Sequence, residues 1–268
     1  MSKKANAYEQ LIEQIFFDSY SDGDTRVAFE RSDIEGAADH LGINLPKNLG
    51  DVIYSFRYRK PLPQSILNLQ TEEMEWVIEG VGRAKYEFKL VRINRILPNP
   101  DLITIKVPDA TPEIVNEYAL SDEQALLAKV RYNRLIDIFL GITTYSLQNH
   151  LRTTVRRGVQ IEIDELYAGI DPDGCQYIIP VQAKGGSDQL GVVQTKQDID
   201  CCQEKFPTLV TRAISTQFID DARIALFELT VQDDHVRIVH EKHYELVSSG
   251  DITEEDLRTY RNTARARR

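Results

Sequence analysis

Three polar residues stand where a strand pattern leaves little room for them. They are Asp164 in the run IEIDELYAGI (161–170) and Gln182 and Lys184 in YIIPVQAK (177–184). Both runs alternate around isoleucine, and DPDG (171–174) between them is a strong turn signal, so a β-hairpin is predicted. Side chains alternate faces along a strand. Glu162, Asp164 and Leu166 therefore share one face of the first strand, and Ile178, Pro180, Gln182 and Lys184 one face of the second. Folding about the turn sets Asp164 opposite Gln182 to within one residue of register. A carboxylate and an amide oxygen are hard ligands that suit Mg2+, which keeps water in its shell. An ammonium group beside such an ion can orient or stabilise an attacking hydroxide, which is what phosphodiester hydrolysis needs. The bland reading of the same residues is an ion pair between Lys184 and Asp164 at a sheet end.

The elements around this hairpin must place it. Upstream, Ser121 can cap a long helix with Gln124 completing the box, running to about Leu140 and stopped by Gly141. Leu126, Leu127, Val130, Leu135, Ile138 and Phe139 form its core side. YSLQNHLRTTV (145–155) reads as a second helical piece. After the hairpin come a helix at 195–204, TLVTRAIST (208–216) as another helix, two late strands in RIALFELTV and VRIVHEKHYEL, and a polar, frayed tail. This order predicts an α/β domain on a mixed sheet over 101–268. His235, His240 and His243 fall in a strand pattern and read as exposed.

The first hundred residues read as a separate domain. Leu11, Ile12, Ile15 and Phe16 recur at helical spacing. SDIEGAADHL (32–41) is a short helix with Ser32 and Glu35 as its capping box and Gly42 as its stop. Pro46 then opens PKNLGDVIYSFRYRK, which buries Leu49, Val52, Ile53 and Phe56. Two strands come next, around EGVGRAK (79–85). Three helices and then a basic hairpin is the order of a winged helix. In that arrangement Lys47, Asn48, Asp51 and Arg59 would face the major groove of duplex DNA, with Arg83 and Lys85 on the wing near phosphates. The alternative is a small helical domain that touches no DNA. LPNPDLITIKVPDATPEIV (97–115), with four prolines, reads as a linker carrying one short strand, with the boundary near residue 100.

Composition narrows the class. At 268 residues the chain holds one large or two modest cores, and no apolar run approaches a membrane span. Three cysteines, two of them adjacent, fit neither a disulfide framework nor a zinc site, and a reducing, cytoplasmic compartment is expected. The net charge of −10 argues against nucleic acid, yet residues 83–95 carry five basic residues and one acid. There is no P-loop and no GxSxG elbow.

The pattern of Asp164 and then the tripeptide Gln182-Ala183-Lys184 resembles the active-site core of the PD-(D/E)xK nuclease superfamily, over about residues 120–230. The chain also resembles the type II restriction endonucleases that join such a core to a winged helix, on LGINLPKNLGDVIYSFRYR, DATPEIVNEY, YNRLIDIFLGITTYSLQNHLRT and IPVQAKGG. The resemblance implies a Mg2+-dependent endonuclease of double-stranded DNA, working as a homodimer, with a cognate DNA methyltransferase in the same system. It makes Asp164 and Gln182 metal ligands and Lys184 the residue that assists the water. Glu123, on the helix before the strands, is the implied upstream carboxylate, with Glu162 as a second candidate. The later polar residue of the family maps to Gln194, with Gln197 and Asp198 one turn on. Gln182 departs from the family, which has Asp or Glu there, so the second anionic ligand is left open. A structure-specific repair nuclease or resolvase on the same core, and a winged-helix regulator without catalysis, are the competing functions.

Overall fold

A computed structural model describes residues 7–58, 60–71, 74–92, 96–118, 123–155, 158–184, 192–220, 222–232 and 235–266. The chain divides into two compact units, residues 1–93 with 154–160, and residues 94–153 with 161–268.

The first unit runs α1 (Ala7–Ser19), β1 (Arg26–Glu30), α2 (Arg31–Leu41), α3 (Gly50–Tyr58), the single turn α4 (Gln64–Leu67), β2 (Met74–Gly82) and β3 (Lys85–Arg92). Its three strands are antiparallel in the order β1-β3-β2. The expected hairpin is present, with Trp76 opposite Leu90 and Ile78 opposite Phe88. The helical stripe of α1 forms the core: Leu11, Ile12, Ile15 and Phe16 are all buried. The ring of Phe16 meets those of Trp76 and Phe88 edge-on at 5.1 and 5.0 Å, a geometry aromatic quadrupoles favour.

Three local expectations change here. RVAFE adds a strand to the expected hairpin by simple alternation, with Val27 and Phe29 inward. The start of α2 is held by Asp33, whose carboxylate accepts the Glu30 N–H at 2.7 Å, so the capping box is Glu30 with Asp33 and not Ser32 with Glu35. Gly42 does end that helix, with φ 65°. Helix α3 begins at Gly50, not Pro46. The Asn48 Oδ1 accepts the Gly50 N–H at 3.1 Å, so Asn48 closes the turn before the helix and does not lie on it.

The second unit runs β4 (Thr104–Pro108), α5 (Glu113–Tyr118), α6 (Glu123–Tyr132), α7 (Leu135–Leu140), β5 (Thr143–Val155), β6 (Val159–Ile170), β7 (Gln176–Lys184), α8 (Val192–Lys205), β8 (Val210–Thr211), β9 (Ala213–Phe218), β10 (Arg223–Gln232), β11 (His235–Val247) and α9 (Glu254–Ala266). The sheet order is β4-β11-β10-β9-β7-β6-β5, with β8 beside β7. The β7–β9 and β11–β4 pairs are parallel and the β6–β7, β9–β10 and β10–β11 pairs antiparallel, so the sheet is mixed. The protein is of the α/β class, as expected from the order of elements. No helix among the described residues is long and apolar enough to cross a membrane.

Several segments differ from the sequence reading. The short strand expected in the linker is present as β4, but it joins the edge of the sheet instead of lying apart in a linker. The long helix breaks at Asn133-Arg134, where Arg134 is left-handed at φ 50°. The break rotates α7 relative to α6, so Ile136 is buried and Ile138 is 46% exposed. Residues 145–155 and 210–218 are strands, because threonine, valine and isoleucine lose less χ1 freedom on a pleated sheet than in a helix. The tail forms α9, with Thr253 and Asp256 capping each other: Asp256 Oδ2 accepts the Thr253 N–H at 2.8 Å, and Thr253 Oγ1 accepts the Asp256 N–H at 3.1 Å. The Tyr260 hydroxyl accepts the Lys106 N–H at 2.9 Å, fastening α9 to β4. His243 is buried, not exposed, with Nε2 2.8 Å from Glu241.

Asn133 holds the helix break. Its Oδ1 accepts the Ala110 N–H at 2.6 Å, and its Nδ2 donates to Thr111 Oγ1 and Lys129 O, both at 2.9 Å. Replacing Asn133 with Ala leaves these groups without their partner and should lower stability by about 1–3 kcal/mol in urea unfolding. A change below about 0.5 kcal/mol would contradict this role.

Candidate active site

The sheet presents two faces with different neighbours. Val181, Ala183 and Ile214 pack in one core with Leu126, Leu127 and Val130 of α6. Ala213, Ala225 and Phe227 pack in another with Ile199 of α8. Alternation then assigns Gln182 and Lys184 to the α8 face. Register agrees: Gln182 pairs with Ser215, which pairs with Phe227, and Lys184 pairs with Gln217, which pairs with Ala225.

The hairpin folds as its sequence predicts. Asp171 and Gly174 close the turn, and the strands pair from Ile170↔Gln176 to Glu165↔Val181. One further step of that register sets Asp164 opposite Gln182. At this point the Asp164 carboxylate takes over, its Oδ2 accepting the Ala183 N–H at 3.0 Å. Lys184 closes the strand, 14% exposed, with its Nζ 3.8 Å from Glu123 Oε1 at the start of α6. Asp164, Gln182, Lys184 and Glu123 are thus gathered at one end of the sheet.

The helix residue that touches the strand is Asp198, one turn beyond Gln194. Gln182 Nε2 donates to Asp198 Oδ2 at 2.6 Å, and both residues are only 2% exposed. Gln194, to which the family resemblance maps this role, lies one helical turn before Asp198 on α8 and is half-buried. A signal was present: Thr195, Asp198 and Cys202 recur at 3–4-residue spacing beside Ile199, and all four are buried. An acid on the buried stripe of a helix is the anomaly that marks it. Glu162 instead pairs with Arg152 at 3.2 Å.

The electrostatics derive from burial. Burial pushes the Asp164 carboxyl up, against the Ala183 N–H and the Lys184 charge, which pull it down. Burial drives the Asp198 carboxyl well above the usual range, opposed by the Gln182 hydrogen bond, while the nearby Asp164 charge raises it further. Two oxygens at this junction, Gln182 Oε1 and Asp198 Oδ1, are buried without a hydrogen-bond partner among the described residues. Among the same residues no three His, Cys, Asp or Glu side chains group around one point. The donor set is instead two carboxylates and an amide oxygen. Unsatisfied hard oxygens beside a carboxylate fit a small divalent cation such as Mg2+.

On the other face Glu165 is fully buried and is held by Arg131 of α6 and by the Tyr167 hydroxyl at 2.6 Å. This cluster fixes α6, and with it Glu123, against the hairpin. Sequence reasoning missed it, because Glu165 and Arg131 are 34 positions apart and neither stands in a recognisable motif.

The residues proposed for DNA contact are surface groups of the first unit. Lys47, Asn48, Asp51, Arg83 and Lys85 lie at or near its surface, and Arg59 lies outside the described residues. Asn48 Nδ2 donates to Asp51 Oδ1 at 2.9 Å, so these two hold each other. Arg83 stands at the β2–β3 turn, where the Gly158 backbone (φ +76°) approaches so closely that an added Cβ would lie 2.9 Å from the Arg83 Cβ. Lys85 pairs with Glu30 at 3.2 Å and Lys89 with Glu79 at 3.1 Å. Two of the five basic residues of the strip are therefore met by acids from neighbouring strands, which a count along the chain could not register.

A raised carboxyl binds its proton more tightly in the folded state, so it lowers stability at neutral pH, and the deficit fades as pH falls toward the unfolded value. Asp198→Asn should therefore raise the melting temperature of the metal-free protein at pH 7, with the gain shrinking as the pH is lowered toward about 4. A gain that is absent at pH 7, or unchanged by pH, would contradict the burial of a costly carboxylate.

No protein-family model matches the sequence, and neither a curated protein nor a solved structure shows significant similarity to it.

Proposed function

We propose that the protein is a Mg2+-dependent endonuclease that hydrolyses phosphodiester bonds of double-stranded DNA, most simply as a site-specific type II restriction enzyme. The observation that carries this reading is the cluster at one sheet end, in which Asp164, Gln182, Lys184, Glu123 and Asp198 meet where β7 passes beneath α8. Asp164 and the Gln182 oxygen would hold the ion. Bound there, Mg2+ supplies Lewis-acid charge to the scissile phosphodiester.

The chain's own groups do the rest. The Ala183 N–H fixes one oxygen of Asp164, and the other would bind the ion. Lys184 holds a cation at the mouth of the site, where it can hydrogen-bond the attacking water and offset charge that builds on the phosphoryl oxygens. Glu123, 3.8 Å away, keeps that ammonium in place. Gln182, Ser215 and Gln217 beneath the site are buried, and burial strengthens each of these interactions.

The first unit supports a DNA-reading partner to this site. Helix, strand, two helices, the single turn α4 and two strands, with sheet order β1-β3-β2, fit a winged helix, with α3 as the reading helix and Arg83 and Lys85 on the wing. The Lys85–Glu30 pair is 61% and 56% exposed, so it is worth little and can exchange for phosphate. Cutting both strands needs two such sites, which a symmetric homodimer on a palindrome supplies. A cognate methyltransferase would be its natural companion. A second reading, a structure-specific repair nuclease with little sequence preference, is favoured by the less exposed Lys89, which Glu79 engages at 3.1 Å and so withholds from phosphate.

Plasmid DNA incubated with Mg2+ distinguishes these. Restriction predicts discrete fragments, and Lys184→Ala and Asp164→Ala should each slow cutting by at least about 100-fold. Cleavage confined to branched substrates would move the protein to the second reading. No cleavage of any DNA with Mg2+ or Mn2+ would reject both.

A further inference from the structure

The strand that should bring the second negative charge to the cation brings an amide instead. Gln182 is neutral, so Asp164 is left as the one strand carboxylate facing the site. We infer that Asp198 of α8 supplies the missing anionic ligand, in place of an acid at position 182. This rests on the nuclease reading and goes beyond it by assigning a residue to the metal.

The geometry carries it. Asp198 is 2% exposed, so its carboxylate has almost no water. Its Oδ2 is held by the Gln182 amide at 2.6 Å, yet its Oδ1 has no hydrogen-bond partner among the described residues. The Gln182 Oε1, on the other arm of the same amide, is in the same position. A buried charge with one oxygen satisfied and one open is costly unless a cation, or in its absence a proton, takes the open side. Gln182 thus does two things: its N–H orients Asp198, as outer-shell donors orient ligand carboxylates elsewhere, and its own Oε1 is left as a second open oxygen at the junction. Asp164 is held by the Ala183 N–H and Asp198 by the Gln182 amide, so the two carboxylates are fixed by successive residues of β7.

The other candidates fit less well. Glu123 is 41% exposed and is turned toward Lys184. Gln194 carries no charge. Glu162 is engaged by Arg152 on the strand next to it.

Mn2+ alone, titrated into the full-length protein and tracked by the electron paramagnetic resonance signal of the free ion, tests this without any DNA. Four proteins are compared: wild type, Asp164→Ala, Asp198→Asn, and the exchange Gln182→Glu with Asp198→Asn, which moves the carboxylate from helix to strand. Thermal melts confirm that each is folded. Asp164→Ala and Asp198→Asn should each weaken Mn2+ binding at least about tenfold, by comparison with the roughly 10–100-fold typical even of outer-shell changes. The exchange should recover most of the loss. If Asp164→Ala weakens binding and Asp198→Asn does not, the assignment of Asp198 is overturned while the site stands. Loss in Asp198→Asn that the exchange fails to restore would overturn it too, by making Asp198 a structural residue. If no variant alters Mn2+ binding, both the assignment and the metal site fall.

Discussion

A carboxylate buried between a sheet and a helix must be satisfied by something, and in this protein the demand is met only by half. Gln182 reaches Asp198 at 2.6 Å and ties β7 to α8. That one bond holds the helix in register over the strand end, orients Asp198, and leaves two oxygens at the junction without partners among the described residues. The layers around it are ordinary apolar packing: Val181, Ala183 and Ile214 against α6 on one face, Ala213, Ala225 and Phe227 against α8 on the other. Packing of that kind positions a strand but does not call for acids. The polar residues at the end of β7 therefore cost stability, and sites that cost stability are where function is expected.

The rest of the second unit serves to make this end of the sheet rigid. The Asp171 carboxylate accepts the Asp173 and Cys175 N–H groups and the Tyr177 hydroxyl, fixing the far end of the hairpin. Glu165, held by Arg131 and Tyr167, anchors α6 across the opposite face, and α6 carries Glu123 to Lys184. The parallel β7–β9 pairing sets Ser215 and Gln217 beside Gln182 and Lys184, extending the polar row to a third strand. An open α/β sheet with its polar cluster at strand ends has the general layout in which such folds bind ligands.

The hairpin was legible because its signals are local: DPDG, alternation, and polar residues two apart. The class was legible too, since helical and strand patterns both recur through the second half. What failed was what depends on neighbours far along the chain. Residues 145–155 contain enough leucine and glutamine to suggest a helix, and their place at the edge of the sheet lets the β-branched residues prevail, as β5. The long helix hid its break because Asn133 is an ordinary helix residue until Ala110 and Thr111 come to meet it. Asp198 lies one turn from Gln194, and only the strand packed beneath α8 distinguishes the two. The basic strip at 83–95 looked stronger in sequence than it is for the same reason: Glu30, which pairs with Lys85, lies on a strand remote in sequence, and Glu79 reaches Lys89 only across the hairpin.

The most direct test of the cation site is anomalous diffraction from crystals grown with Mn2+. One strong peak is expected at the end of β7, about 2.1–2.3 Å from oxygens of Asp164, Gln182 and Asp198, near the range for a small divalent cation with oxygen ligands. A peak held by other residues, or no peak there with the site intact and Mn2+ in excess, would contradict it.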